Sequence, residues 1–338
     1  MLQAPAARSA GAFHRSGTGM TKLAQLSNWL LWAVLMAAIV AVLGWGGRPQ
    51  MVGLFIASGL AVGSLYALGG IGIVVLYRAT GVLNFSGGAA GAAGAMTAWQ
   101  LIAWGWWEPL AWLACLLVAL LITLIYGRFV APLLAWRDTV VKAVATLGFA
   151  LIVLGVVSFL WIDDPRSITL PTDGIGVRLL GMRITATRLL VFFASVAIVV
   201  GIWAFLTFTK VGLQMRALAN DRDLSALLGI PILRVETIAW AIAGVLAGFS
   251  GLMFADLIRL EAMVITFMVI PSIAAAICGR LENLTVVLLG GLSMGVIENM
   301  LTMSPVLRGV RPIAPFVIAA LVLLWYQRGQ RLTFGGRD

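Results

Sequence analysis

The chain alternates between long apolar runs and short polar breaks, and the runs show no two-residue alternation. The apolar runs lie at about 29–47, 51–77, 85–106, 109–135, 139–162, 188–209, 234–258, 262–279, 284–303 and 311–327. Each covers about 17–27 residues, the length a helix rising 1.5 Å per residue needs to cross a ~30 Å hydrocarbon core. Strands of a membrane barrel would instead show ~10-residue alternating segments. The pattern predicts an all-α polytopic membrane protein with about ten transmembrane segments. Gly and Pro interrupt several runs, so some are expected to be broken or re-entrant, and eight is the competing count.

The polar breaks set the orientation. If the N-terminus is cytoplasmic and all ten runs cross, Arg48, Arg166, Arg178, Arg183, Arg188, Arg259, Arg308 and Arg311 fall outside. The rest of the 23 Lys and Arg residues fall inside, Lys22, Lys142 and Lys210 among them. That excess places both termini in the cytoplasm. Residues 1–28 then form a flexible tail, 29–327 the membrane domain and 328–338 a second cytoplasmic tail. Two longer polar stretches remain, 163–187 outside and 210–233 inside, and neither is long enough for a domain of its own. Met20 is an alternative start site, and 1–28 has the Ala/Gly/Ser-rich composition of a transit peptide.

Composition agrees with the pattern. Apolar residues make up 62% and charged residues 11%, with a mean hydropathy of +1.04, against about 25% charged in a soluble domain. This excludes a cytosolic enzyme, a nucleic-acid-binding module and a disordered chain. The net charge of +10 is read as basic cytoplasmic loops beside anionic lipid. Cys115 and Cys278 sit inside apolar runs at different depths, so they are expected to be unpaired core residues. Trp104, Trp106 and Trp107 suit an outer interfacial belt. There is no G-x-x-x-x-G-K-[ST] phosphate loop and no H-E-x-x-H. The single His14 stands in the tail, and no nucleophile–base pair is available. No catalytic residue, metal site or bound cofactor is expected.

The inner polar stretch carries the clearest local signal. Asn220 and Asp221 can cap a helix that runs to Leu228, with Gly229 as its stop and Pro231 just beyond. Leu224, Leu227 and Leu228 share one face, while Arg216, Asp221, Arg222 and Asp223 are expected to stay wet. A short amphipathic helix there either docks another protein or lies on lipid headgroups.

At this point a resemblance enters. Arg216-Ala217-x-x-x-x-Arg222-x-x-x-Ala226-x-x-Gly229-Ile230 resembles the cytoplasmic coupling loop of permease subunits of branched-chain amino acid ABC importers, a family with urea and amide members. Gly63-Ser64-Leu65-Tyr66-Ala67-Leu68 with Gly81-Val82-Leu83-Asn84-Phe85-Ser86, and Gly290-Gly291-x-x-x-Gly295-Val296-Ile297-Glu298, resemble its first and last signatures. The three cover about 51–327 in the family's order. There are departures. The family's usual N-F-A-H-G-E is Asn84-Phe85-Ser86-Gly87-Gly88-Ala89 here. Its glycine-rich stretch before the ninth run reads Gly279-Arg280-Leu281-Glu282-Asn283-Leu284, and Ser225 replaces the usual Ala.

The resemblance implies a non-catalytic subunit in the bacterial inner membrane. It implies two cytoplasmic ATPase partners that bind the ATP, a second permease subunit or second copy, and an extracytoplasmic solute-binding protein. Arg216, Ala217, Arg222, Asp223, Leu224, Leu227, Leu228 and Gly229 are then the ATPase-coupling residues. Ser64, Tyr66, Asn84, Ser86, Gly291, Gly295 and Glu298 are the candidates for the translocation path. A self-contained secondary transporter or channel is the alternative.

Two membrane features have competing readings on physics alone. Gly87, Gly88, Gly91 and Gly94, interspersed with Ala, serve either close helix packing or a backbone-lined passage. Glu298 shares a face with Gly291, Gly295 and Thr302. A charged acid in hydrocarbon costs ~2.5 kcal/mol or more, so Glu298 must face protein or water. Asn84 and Ser86 either cap a helix or meet a solute.

Overall fold

The computed structural model describes residues 32–44, 48–161, 166–179, 182–305 and 307–327; the tails expected at 1–28 and 328–338 lie outside the described residues. The chain divides into two units between Gly46 and Gly47. The first contributes one apolar helix, α1 (Trp32–Leu43).

The second unit is built around α2 (Pro49–Thr80). Pro49 opens this helix, where a missing N–H costs nothing, and Gly81 closes it in the left-handed conformation at φ 68°, its N–H donating to the Tyr77 carbonyl. The helix is apolar all round and mostly buried, as expected of a helix with no wet face. Against it pack α12 (Leu284–Leu301), α9 (Ile232–Leu257), α11 (Val269–Cys278) and α6 (Ala186–Phe208). In turn α9 is covered by α3 (Gly87–Ala103) and α4 (Glu108–Ile125). By contrast α4, α5 (Thr139–Trp161) and α6 are equally apolar but leave most of their surface uncovered, as helices facing hydrocarbon do.

Glycine sets the closest contacts. Gly59 and Gly63 of α2 meet Gly291 and Gly295 of α12. A Cβ on Gly295 would lie 2.3 Å from the Gly63 Cα, and one on Gly63 would lie 2.7 Å from the Gly291 carbonyl oxygen. These are paired small-xxx-small faces that let two backbones touch. Beyond Ile125, α4 widens into a π-turn at Tyr126–Val130 and ends in a 3-10 turn at Ala131–Leu134. The buried Trp240 indole lies flat on Gly127, where a Cβ would come within 2.4 Å of its Cγ, and Tyr126 packs 5.1 Å from the same ring.

The described parts of the longer polar stretch expected outside, 166–179 and 182–187, are ordered. A 3-10 turn at Pro171–Gly174 leads into a hairpin of β1 (Gly176–Leu179) and β2 (Met182–Thr185), with Val177 opposite Ile184. Its ties run to helix ends. Arg166 and Leu260 exchange both backbone hydrogen bonds at 3.1 Å, the Leu170 N–H donates to Asp256, and Thr187 donates to Asp173. The Arg166 guanidinium sits 4.1 Å over the Trp99 ring.

Among the described residues, six helices are long and apolar enough to cross a membrane: Pro49–Thr80, Glu108–Leu134, Thr139–Trp161, Ala186–Phe208, Ile232–Leu257 and Leu284–Leu301. The expectation of ten spans is corrected to that extent. The run 262–279 is broken at Met268 into α10 (Ala262–Phe267) and α11. Pro271 has no N–H to bond back to Phe267, so it is accommodated in the first turn of a new helix. The run 85–106 yields only the 17 residues of α3. The run 311–327 opens as a 3-10 turn and continues as α13 (Ala314–Gln327). Apolar composition fixes burial but not helical continuity. The all-α class holds, with a small hairpin added among the described residues.

Candidate translocation cleft and coupling surface

A narrow cleft opens where α2, α3, α9 and the α10–α11 break converge. Its walls include Gly69 and Gly72 of α2, Gly87 and Gly88 of α3, Ser250 of α9 and Met268 at the break. Along α9 the lining runs from Ala243 to Phe254, roughly 16–33 Å from the helix start at 1.5 Å per residue. That is the second half of the helix, from near its midpoint almost to its C-terminal end. Broken helices and exposed helix ends are tolerated within a membrane where they line a cavity. The cavity volume is ≈ 40 Å³, room for a few waters at most.

The α3 start is prepared locally. The Asn84 side-chain oxygen accepts from the Ser86 N–H at 2.9 Å and the Ser86 hydroxyl at 2.7 Å. The Phe85 N–H donates to Thr146 of α5 at 3.1 Å. Both readings of Asn84 therefore meet at one place: it organises the turn into α3 and also lines the cleft. The first N–H groups of α3, which a helix leaves without intrahelical partners, lie at Gly87 and Gly88, beside the same space. The small residues of α3 also combine two roles. Gly88 and Gly91 border the cleft, yet a Cβ on Gly88 would strike the Thr266 carbonyl oxygen at 2.2 Å, and one on Gly91 the Ala247 carbonyl oxygen at 2.5 Å. Gly94 packs on Cys115 and does not line the cleft. Cys115 and Cys278 are buried free thiols.

Behind the cleft wall lies a polar relay. The Tyr66 hydroxyl, fully buried, donates to Glu298 Oε2 at 2.8 Å and lies 3.6 Å from the Met268 sulfur. Arg311 Nε donates to Glu298 Oε1 at 2.9 Å. Glu298 is 7% exposed, so the cost of burying its charge is offset by an ion pair and a hydrogen bond. Of the other path candidates, Ser64 returns its hydroxyl to the Ala61 carbonyl of its own helix, and Gly291 and Gly295 lie in the α2–α12 contact. Among the path candidates only Asn84 lines the cleft directly. Arg311 and Met268 were not foreseen. The signal for Arg311 was available, since a lone buried acid at the end of a span demands a cation nearby.

The inner polar stretch forms two helices, α7 (Lys210–Asn220) and α8 (Arg222–Leu227). In α7, Met215 and Leu218 are buried, while Arg216 reaches back to the Thr207 carbonyl at 3.3 Å. Asp221 caps α8, accepting from the Leu224 N–H at 2.9 Å. Gly229, at φ 77°, stops it, with the Ile230 N–H bonding the Ser225 carbonyl. Leu224, Leu227 and Leu228 are 50%, 85% and 72% exposed. Ser225 is buried and faces inward. One expectation is corrected here. Arg222 is not simply wet: it pairs with Glu236 of α9 at 2.7 Å, because Glu236 is only 14% exposed and its carboxylate requires a partner. Among the described residues no cluster of side chains suits a metal ion.

A polytopic helical bundle with a glycine-lined cleft between its helices, and a capped apolar helix displayed on a polar loop, defines a permease-type membrane subunit. Residues 55–326 match the family of the branched-chain amino acid transport system permease component, and the chain belongs to that family. It is 24% identical over 284 residues to the high-affinity branched-chain amino acid permease protein LivH of Salmonella typhimurium, covering 79% of this chain and 91% of that protein. LivH of Escherichia coli K12 gives 24% over 287 residues with the same coverage. BraD of Pseudomonas aeruginosa gives 24% over 258 residues, covering 72% and 84%. The chain is thus a multi-pass inner-membrane permease subunit of the LivH-type ABC transporter family, a non-catalytic component of such machines.

Proposed function

We propose that the chain forms, with a second permease subunit or a second copy of itself, the path by which a small polar solute of the branched-chain amino acid or amide class enters the cell. Two cytoplasmic ATPase subunits bind and hydrolyse the ATP and grip α8, and an extracytoplasmic solute-binding protein docks on the face carrying 163–187. Both termini are cytoplasmic in this reading. The observation that carries it is the connection from α8 to the cleft. The exposed leucines sit on a helix fixed at both ends, and Arg222 ties that helix to Glu236 of α9, whose other half lines the cleft. A push on α8 is therefore a push on a wall of the path. At ≈ 40 Å³ the cleft holds no amino acid, so transport requires helix movement. The α3 N-terminus, with its positive dipole end beside Asn84, suits a solute carboxylate.

Leu228→Asp tests this. It puts a charge into the apolar centre an interface needs, without touching the membrane core. The variant should insert and accept the binding protein, but lose the ATPase subunits on purification or lose substrate-stimulated hydrolysis. Intact assembly, hydrolysis and uptake would mean that α8 only lies on the membrane.

A further inference from the structure

A second cleft opens between the end of α4 and the start of α9, lined by Gly127, Arg128 and Pro132 on one side and Leu233, Arg234, Glu236 and Thr237 on the other. Its volume, ≈ 170 Å³, is larger than that of the central cleft. The local fold creates it. The π-turn widens α4 just where Gly127 admits the Trp240 indole, and this sets Arg128 opposite the first turn of α9. Neither Arg128 nor Arg234 has an ion-pair partner among the described residues. The acid in the wall, Glu236, is already engaged by Arg222, and Lys142 also lies within electrostatic reach of it. Counting Arg222 with its partner, the cleft carries two uncompensated guanidinium groups.

The surroundings are apolar. Leu233, in the wall, is strongly exposed, and so are Phe129, Leu133 and Trp136, near Arg128 and Pro132 in the chain. Depth is the remaining fact. Arg128 stands twenty residues beyond Glu108, which opens α4, and twenty helical residues rise about 30 Å, the thickness of the hydrocarbon core. If Glu108 and the exposed Trp104, Trp106 and Trp107 mark the outer interface, Arg128 marks the inner one. A soluble anion would use the two cations and leave the apolar rim bare, whereas a phospholipid uses both.

We infer that this cleft binds the phosphate headgroup of an anionic phospholipid of the cytoplasmic leaflet, held between Arg128 and Arg234, with acyl chains passing over Phe129, Leu133 and Leu233. The inference rests on the orientation proposed above. The bound headgroup stands beside the Arg222–Glu236 pair, so it occupies the joint between α8 and α9.

Native mass spectrometry of the purified full-length permease, alone and with its ATPase subunits, titrated with phosphatidylglycerol or phosphatidylcholine, tests it. The wild type should retain phosphatidylglycerol in preference to phosphatidylcholine. Arg128→Gln with Arg234→Gln should weaken that retention about tenfold or more, as expected for two basic groups at an anionic surface. Arg128→Lys with Arg234→Lys, which keeps both charges, should retain most of it and shows that the cleft itself survives substitution. Equal retention by the wild type and the Gln pair overturns the assignment. Displacement of the lipid by millimolar inorganic phosphate reassigns the site to a soluble anion. Loss of the lipid whenever ATPase subunits bind reassigns it to a protein contact. The measurement needs neither transport nor hydrolysis, so its failure is distinct from failure of the transport reading.

Discussion

Glu298 is held by two donors of different character, and their removal reads two different things. Glu298→Leu leaves both the Tyr66 hydroxyl and Arg311 without their shared acceptor. Stranding such a buried group costs about 1–3 kcal/mol, and Arg311, partly exposed, recovers some of that by turning to water. Glu298→Gln keeps an acceptor for either donor and should transport better than the Leu variant. Tyr66→Phe keeps the ion pair but leaves Glu298 Oε2 without its donor and frees Met268, at the α10–α11 break, from its neighbour's hydroxyl; it should reduce uptake and also cost about 1–3 kcal/mol of stability. Uptake assays beside thermal unfolding of the purified protein separate these outcomes; full transport by Glu298→Leu would refute any role for the residue. The acid itself was legible in the sequence because a charge in an apolar run stands out. Its partners were not, because a hydroxyl on α2 and a guanidinium beyond a loop are brought to it only by packing.

Among the elements, the α2–α12 contact makes the sharpest claim. Gly295→Ala would set a methyl 2.3 Å from a backbone carbon of Gly63, and backbone cannot turn aside as a side chain can. The helices must separate, at a cost of about 1–3 kcal/mol as in other overpacked cores. Gly290→Ala, whose Cβ would meet the Cys278 side chain at 3.1 Å, should be far milder. Thermal unfolding of both variants in detergent checks the contrast, and equal midpoints would mean that the contact is looser than described. Sequence alone placed Gly291, Gly295 and Glu298 on one helix face, and in the structure all three meet α2. It left open whether that face borders another helix or a passage, since small residues serve both. The same limit applies to element ends. The α8 boundaries were readable from Asp221 and Gly229, which act within one turn. The turn at 280–281 was not, because Arg280 and Leu281 take φ of 53° and 57°, a conformation such side chains rarely adopt. There the family's glycines would have been the natural signal.

At the scale of the whole molecule, the question is how a surface helix moves a buried cleft, and through which side of the membrane. The proposed orientation predicts that a cysteine at Thr172 reacts with an impermeant external thiol reagent while one at Asn220 does not; the reverse pattern would invert the molecule. With that orientation, α8 is reached from the cytoplasm, and its Arg222 pairs with Glu236 of α9. Arg222 is partly exposed, which discounts the pair's contribution to stability, but the mostly buried Glu236 still depends on it; the pair also fixes the position of α8 on α9. Arg222→Ala leaves the Asp221 cap and the three leucines in place. The ATPase subunits should therefore still co-purify and still hydrolyse ATP, while the push no longer reaches α9. A coupling loss of about 0.5–2 kcal/mol corresponds to a fall in uptake of roughly 2- to 30-fold. Exchanging the charges, Arg222→Glu with Glu236→Arg, should restore much of it, as a double-mutant cycle requires of residues that act together. Undiminished uptake in Arg222→Ala would show that force enters by another element. The next in line is α7, whose buried Met215 and Leu218 anchor it in the core, and which packs on both α2 and α9.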